Sequence, residues 1–142
     1  MNFRVTTLIA AIVLGQSAIA ESDREALAAE HFAAALYEKV ANLALEDLID
    51  RGLSESYIDF IVDEAVRRSA MCHMQALDVF PEDVRDRIIE LLADGEDLSK
   101  VLEVISDALG AHANPAGAQQ LRKSQVDDCM AVVNQDLGIS IN

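Results

Sequence analysis

The string Met71-Cys72-His73-Met74 is the densest gathering of reactive side chains in this sequence, and a second cysteine, Cys129, is followed at once by Met130. Thioether, thiolate and imidazole groups are soft ligands, the set a copper(I) site in an exported protein would use. A bridge between Cys72 and Cys129 would draw Met71, His73, Met74 and Met130 into one neighbourhood. Helical geometry works against a single site there. At about 100° per residue, Met71 and Met74 project to one side of Cys72 and His73 to the other. Flexible thioethers filling gaps around a cystine account for the same residues without a metal. No resident cofactor is expected, and a copper-binding protein is kept as the alternative.

The remaining candidates are weaker. His31 and His112 stand far from His73, with no His-x-x-x-His spacing, and are expected at helix ends or on the surface. Asp94-Gly95-Glu96-Asp97 has the composition of a calcium loop but lacks its alternating oxygen ligands. A glycine helix stop followed by an acidic first turn explains that string. Two basic doublets, Arg67-Arg68 and Arg122-Lys123, each precede a cysteine by one to two turns and are expected to form local ion pairs.

Catalysis finds no motif: there is no Gly-x-Ser-x-Gly elbow, phosphate-cradling glycine loop or His-Glu-x-x-His. With 25 Asp and Glu, a pair of carboxylates has no diagnostic weight. Sugar-binding platforms are short too, since tryptophan is absent and Phe32, Tyr37, Tyr57, Phe60 and Phe80 are the aromatics beyond residue 20. A non-catalytic protein is expected, with a small hydrolase lacking any recognisable motif in third place.

The elements that must position these residues begin with an address. Arg4 precedes an apolar run from Val5 to Gly15, and Ala18-Ile19-Ala20 places small residues where a signal peptidase requires them. That run is shorter than the roughly 20 apolar residues a bilayer span takes. Residues 1–20 therefore read as a cleaved signal peptide and 21–142 as a single helical domain, without stable membrane insertion after cleavage. The style of the leader favours the periplasm over the medium. Two cysteines in an exported chain read as one disulfide, Cys72–Cys129.

Cleavage removes one charge, Arg4, leaving 122 residues with 10 Lys and Arg against 25 Asp and Glu, a net charge of −15. Such acidity repels nucleic acid and anionic membrane surfaces. Half the residues are hydrophobic and recur with helical period, which excludes disorder.

A first helix is expected from Ser22, capped by Ser22 and Glu25, with Phe32, Leu36, Val40 and Leu43 on one face and a stop at Gly52. A second follows Ser54 and carries Ile58, Ile61, Ala65, Cys72, Ala76 and Val79. Pro81 opens a third, with Val84, Ile88, Leu91 and Leu92, ending at Gly95. A fourth bears Leu98, Val101, Leu102, Ile105 and Leu109 up to Gly110. Residues 111–117 read as a loop, and a last helix aligns Val126, Cys129, Val133 and Leu137 before Gly138. The fold expected is all-α: a compact bundle of four to six amphipathic helices closed by one disulfide between apolar stripes. The function expected is a non-catalytic, exported binding module of inhibitor or immunity type. Its partner would be another envelope or secreted protein, of basic character.

Overall fold

The computed structural model describes the backbone of residues 5–141 and the side chains of residues 21–141, Asp50 excepted. Five α-helices and two 3-10 turns account for the secondary structure, with no strand among the described residues. Helix α1 (Val5–Leu48) runs into a 3-10 turn at Ile49–Arg51. Helix α2 (Glu55–Gln75) tightens into a second such turn at Ala76–Val79. Then come α3 (Glu82–Ala93), α4 (Leu98–Ala111) and α5 (Pro115–Leu137). Among the described residues, no helix is long and apolar enough to cross a membrane.

Boundaries differ from the sequence reading in ways that have local causes. Helix α1 passes through Ser22 without a break, so Ser22 and Glu25 do not open a helix in the full chain. With no proline between residues 5 and 48, preceding carbonyls serve the N–H groups that the capping box would otherwise satisfy. The side chains of Ala18 and Ala20, the expected processing signal, lie outside the described residues. Ser54 does hold the N-cap position of α2, although its hydroxyl meets Ser56 and makes no cap bond. Pro81 sits one residue earlier than expected, at the N-cap of α3, and Glu82 and Asp83 fill the first turn where the helix dipole favours them.

The expected loop at residues 111–117 contracts to residues 112–114. Gly110 stays helical, Pro115 takes the first helical position, and the Asn114 side chain accepts the Gly117 N–H at 3.1 Å. At the end of α3, Gly95 adopts φ +69°, and its N–H and that of Glu96 reach back to the Leu92 and Leu91 carbonyls at 3.0 Å. This is a Schellman stop, which favours glycine because a Cβ is strained at positive φ.

Helix α1 is the spine, packing along both α2 and α3, while α5 closes over α2 and α4 over α3. Two apolar clusters result. One gathers Ala28, Leu77, Phe80, Ile88, Leu92, Val101 and Ile105 around α3 and α4. The other gathers Val40, Ala44, Leu48, Ile61, Ala65, Ile139 and Ile141 between α1, α2 and the C-terminal tail. The tail is pinned there by Asn134, whose amide donates to the Ile141 carbonyl at 2.9 Å and accepts the Ile141 N–H at 3.3 Å.

Cys72 and Cys129 are bonded, with Cα atoms 5.6 Å apart, joining α2 to α5. Along the chain the bridge at Cys72 falls between the second cluster's Ile61–Val66 on α2 and the first cluster's Leu77 in the 3-10 turn that follows. Its burial is one-sided: Cys72 is fully buried and Cys129 half-buried, because α5 lies at the outside of the bundle. Leu102, expected on the buried stripe of α4, is instead 56% exposed. It stands about 80° round the helix from the mean direction of Val101 and Ile105, the two residues α4 buries.

Candidate functional site

The residues of the Met-Cys-His-Met string divide between two hollows. The larger, about 630 Å³, is a groove where α1 faces α2 and α3. Its α1 wall is Ala26, Ala29 and Ala33, spaced to share one helix face, where small side chains leave a concavity. Met71, Met74 and Ile89 complete the apolar surface, and Glu25, Glu30, Asp78, Arg67 and Arg85 stand around the rim. The rim is braced: Arg85 donates to Glu25 at 2.6 Å, and Arg67 donates to Glu64 at 2.6 Å and approaches the Met71 sulfur at 3.4 Å. That pairing holds the Glu64 carboxyl below its ordinary pKa. Met71 is 42% exposed, and Phe60 and Tyr57, also exposed, lie further along the same face of α2 beyond the Glu64–Arg67 ion pair.

The smaller hollow, about 170 Å³, runs from exposed Leu102 into the first cluster. Phe32, Leu77, Ile88, Leu92, Val101 and Ile105 give it an apolar wall, and Met74 forms part of both hollows. Two polar side chains interrupt that wall, His73 from α2 and Arg122 from α5. His73 packs edge-on to Phe32, ring centroids 5.7 Å apart. Its Nδ1 and the Arg122 Nε are both buried without a hydrogen-bond partner. Arg122 also makes no ion pair among the described residues.

Met130 lies in neither hollow; it packs against the second cluster. Met71 and Met74 thus share the groove, His73 and Met74 share the cavity, and Met130 is separate. The two sulfurs of Cys72 and Cys129 are spent on each other. Among the described residues, no three His, Cys, Asp or Glu side chains converge as a metal ion requires.

Burial lowers the His73 pKa below its ordinary 6.5, and the positive charges of Arg122 on α5 and Lys39 on α1 push the same way. Burial lowers Arg122 as well, but a guanidinium remains charged at neutral pH. A base whose folded pKa lies below its unfolded one binds fewer protons in the native state. Stability tied to His73 is therefore complete above about pH 6.5 and falls as pH drops towards the folded pKa. Between about pH 7.5 and pH 5, the wild type should lose more of its urea midpoint than His73→Gln. Parallel losses in the two proteins would refute this, since every other titrating group is shared.

The other histidines do helix-end work. His31 Nδ1 donates to the Leu92 carbonyl at 2.8 Å and the ring covers Gly95, tying α1 to the end of α3. His112 ends α4 and accepts the Asn114 N–H at 3.0 Å. The doublets are only partly local pairs. Arg67 meets Glu64 and Lys123 meets Asp127 on their own helices, whereas Arg68 reaches across to Asp136 of α5 at 2.7 Å.

Arg122 is the residue that sequence reasoning misplaced, yet a signal was present. It continues the Val126-Cys129-Val133-Leu137 stripe one turn towards the N-terminus, so it had to face inward. Comparison with models of known protein families, with characterised proteins and with solved structures finds no match for the chain. The hollows and their lining residues are therefore the basis for any functional reading.

Proposed function

We propose that this is a non-catalytic, exported binding protein that seats an amphipathic helix of an envelope or secreted partner in the groove between α1 and α2. One observation carries the reading: the apolar concavity of Ala26, Ala29, Ala33 and Met71, rimmed by charged side chains. Apolar surface framed by charged side chains is the signature of a recognition site. An alanine wall admits a partner helix closely, and unbranched methionine adapts its shape to the side chains that enter. The strong negative charge favours a partner with basic flanks, and would act chiefly on the rate of encounter. The disulfide agrees with an oxidising compartment, in keeping with export to the periplasm.

Met71→Glu tests the reading, because it places a charge where the partner's apolar side chains must lie. Val132→Glu is the control, on an exposed position of α5 outside the groove. Capture from envelope extracts, at low and high salt, should recover one stoichiometric partner. Met71→Glu should weaken that binding by roughly tenfold or more, and Val132→Glu should leave it unchanged. Equal loss in both variants, or in neither, rejects the groove as the binding surface.

A further inference from the structure

The cavity that runs into the first cluster has an apolar body and a cationic end, and that combination selects a ligand. We propose that it binds a medium-chain alkanoate, with the hydrocarbon tail among Phe32, Leu77, Ile88, Leu92, Val101 and Ile105 and the carboxylate between Arg122 and His73. This site is separate from the partner groove and does not depend on it.

Size sets the chain length. A water-sized group occupies about 30 Å³, and a methylene is of similar bulk. A cavity of 170 Å³ therefore takes about six such groups, the terminal methyl included, which with the carboxylate makes about seven carbons and points to heptanoate or octanoate.

Charge sets the head group. In a chain this acidic, a half-buried guanidinium without a carboxylate partner stands out, since neighbouring Asp and Glu pair with Arg51, Arg67, Arg68, Arg85 and Arg87. Arg24 and Lys39 also lack a carboxylate partner among the described residues but stand exposed, so Arg122 is the unpaired cation that lines the cavity and is placed to receive an external anion. A buried polar nitrogen lacking a partner costs free energy, and here the Arg122 Nε and His73 Nδ1 both lack one at the same cavity. A carboxylate accepts from both directions and matches the planar fork of the guanidinium. One guanidinium balances one negative charge, so a monocarboxylate fits better than a phosphate dianion. An uncharged alkyl alcohol would fill the same tail space while leaving the guanidinium uncompensated.

Titration calorimetry of the purified protein with the series butanoate to dodecanoate tests this. Affinity should rise about fourfold per methylene up to roughly octanoate and then level off as the cavity fills. Octanoate should bind at least tenfold tighter than 1-octanol, and Arg122→Met should abolish that preference while leaving 1-octanol binding unchanged. In the wild type, the Arg122 Nε–H resonance should move on addition of octanoate and stay in place with 1-octanol. The proposal is overturned if 1-octanol binds as tightly as octanoate, or if octanoate leaves the Arg122 resonance unmoved. It is equally overturned if acetate or inorganic phosphate displaces octanoate at equal concentration, because the tail would then carry no affinity.

Discussion

Replacing Cys72 and Cys129 together with alanine is expected to lower the unfolding free energy by about 4 kcal/mol. The bridge spans 57 residues of separation, and closing a loop of that size removes a large share of the unfolded chain's freedom. Against a typical total of roughly 5–15 kcal/mol, such a loss leaves the fold marginal. Its effect should also be cooperative across the molecule, since along the chain Cys72 falls between residues of the two apolar clusters. Reduced wild-type protein keeps both sulfurs and so separates the crosslink from their packing. Urea unfolding of the oxidised, reduced and Cys72→Ala/Cys129→Ala forms gives the three midpoints. Reduced and double-variant proteins should fall close together, well below the oxidised form. Coincident midpoints for oxidised and reduced protein would falsify the assignment of the bridge as a main source of stability.

The disulfide was legible in the sequence because it follows from compartment and register together. The expected leader peptide would set an oxidising address, and Cys72 and Cys129 each fall on an apolar stripe. The five helices were legible for the same reason: amphipathic period is a property of the sequence alone. What escaped was set by neighbours. Ser22 resembles a helix start, yet in the full chain helical residues precede it and the cap has nothing to satisfy. The seven-residue loop shrank because Asn114 and Pro115 are the opening signals of α5, and they outweigh a glycine two residues on. Ile139 and Ile141 alternate like a strand fragment, and pack as an extended tail because Asn134 supplies the missing backbone partners.

The candidate sites were legible only in part. Helix geometry separates His73 from Met71, and the two line different hollows, but Met74, expected on the side of Met71, borders both. The depth of a hollow depends instead on which small residues face one another across helices far apart in the chain. Ala26, Ala29 and Ala33 meet Met71 and Met74 through the α1–α2 crossing, which no local pattern specifies. Arg122 was misplaced because its chemical type argued for solvent while its register argued for the interior. Register prevailed, and the long apolar stem of arginine makes that affordable by packing along the core while the guanidinium reaches the cavity.

Ile88→Ala should be the most damaging single substitution in the described core, at about 4 kcal/mol, near the upper end of what losing a buried isoleucine costs. Ile88 is fully buried in α3 and also lines the 170 Å³ cavity. The atoms removed would enlarge a hollow that the surrounding helices already leave open, so relaxation has little to collapse onto. Leu48 is buried to the same degree in the second cluster but borders neither hollow. Leu48→Ala should cost nearer 3 kcal/mol, because neighbouring side chains can move into the space. Ile88→Val, which trims one carbon, should cost about 1 kcal/mol. Urea unfolding of the three variants orders them, and a larger loss in Leu48→Ala than in Ile88→Ala would show that the cavity does not govern the response. Ligand binding gives a second, opposite reading of the same cavity. With three carbons removed from its wall, Ile88→Ala should shift the alkanoate optimum upward by about three carbons, towards undecanoate. A variant that is less stable yet prefers a longer tail cannot be explained by general loosening of the bundle, which would weaken every chain length alike.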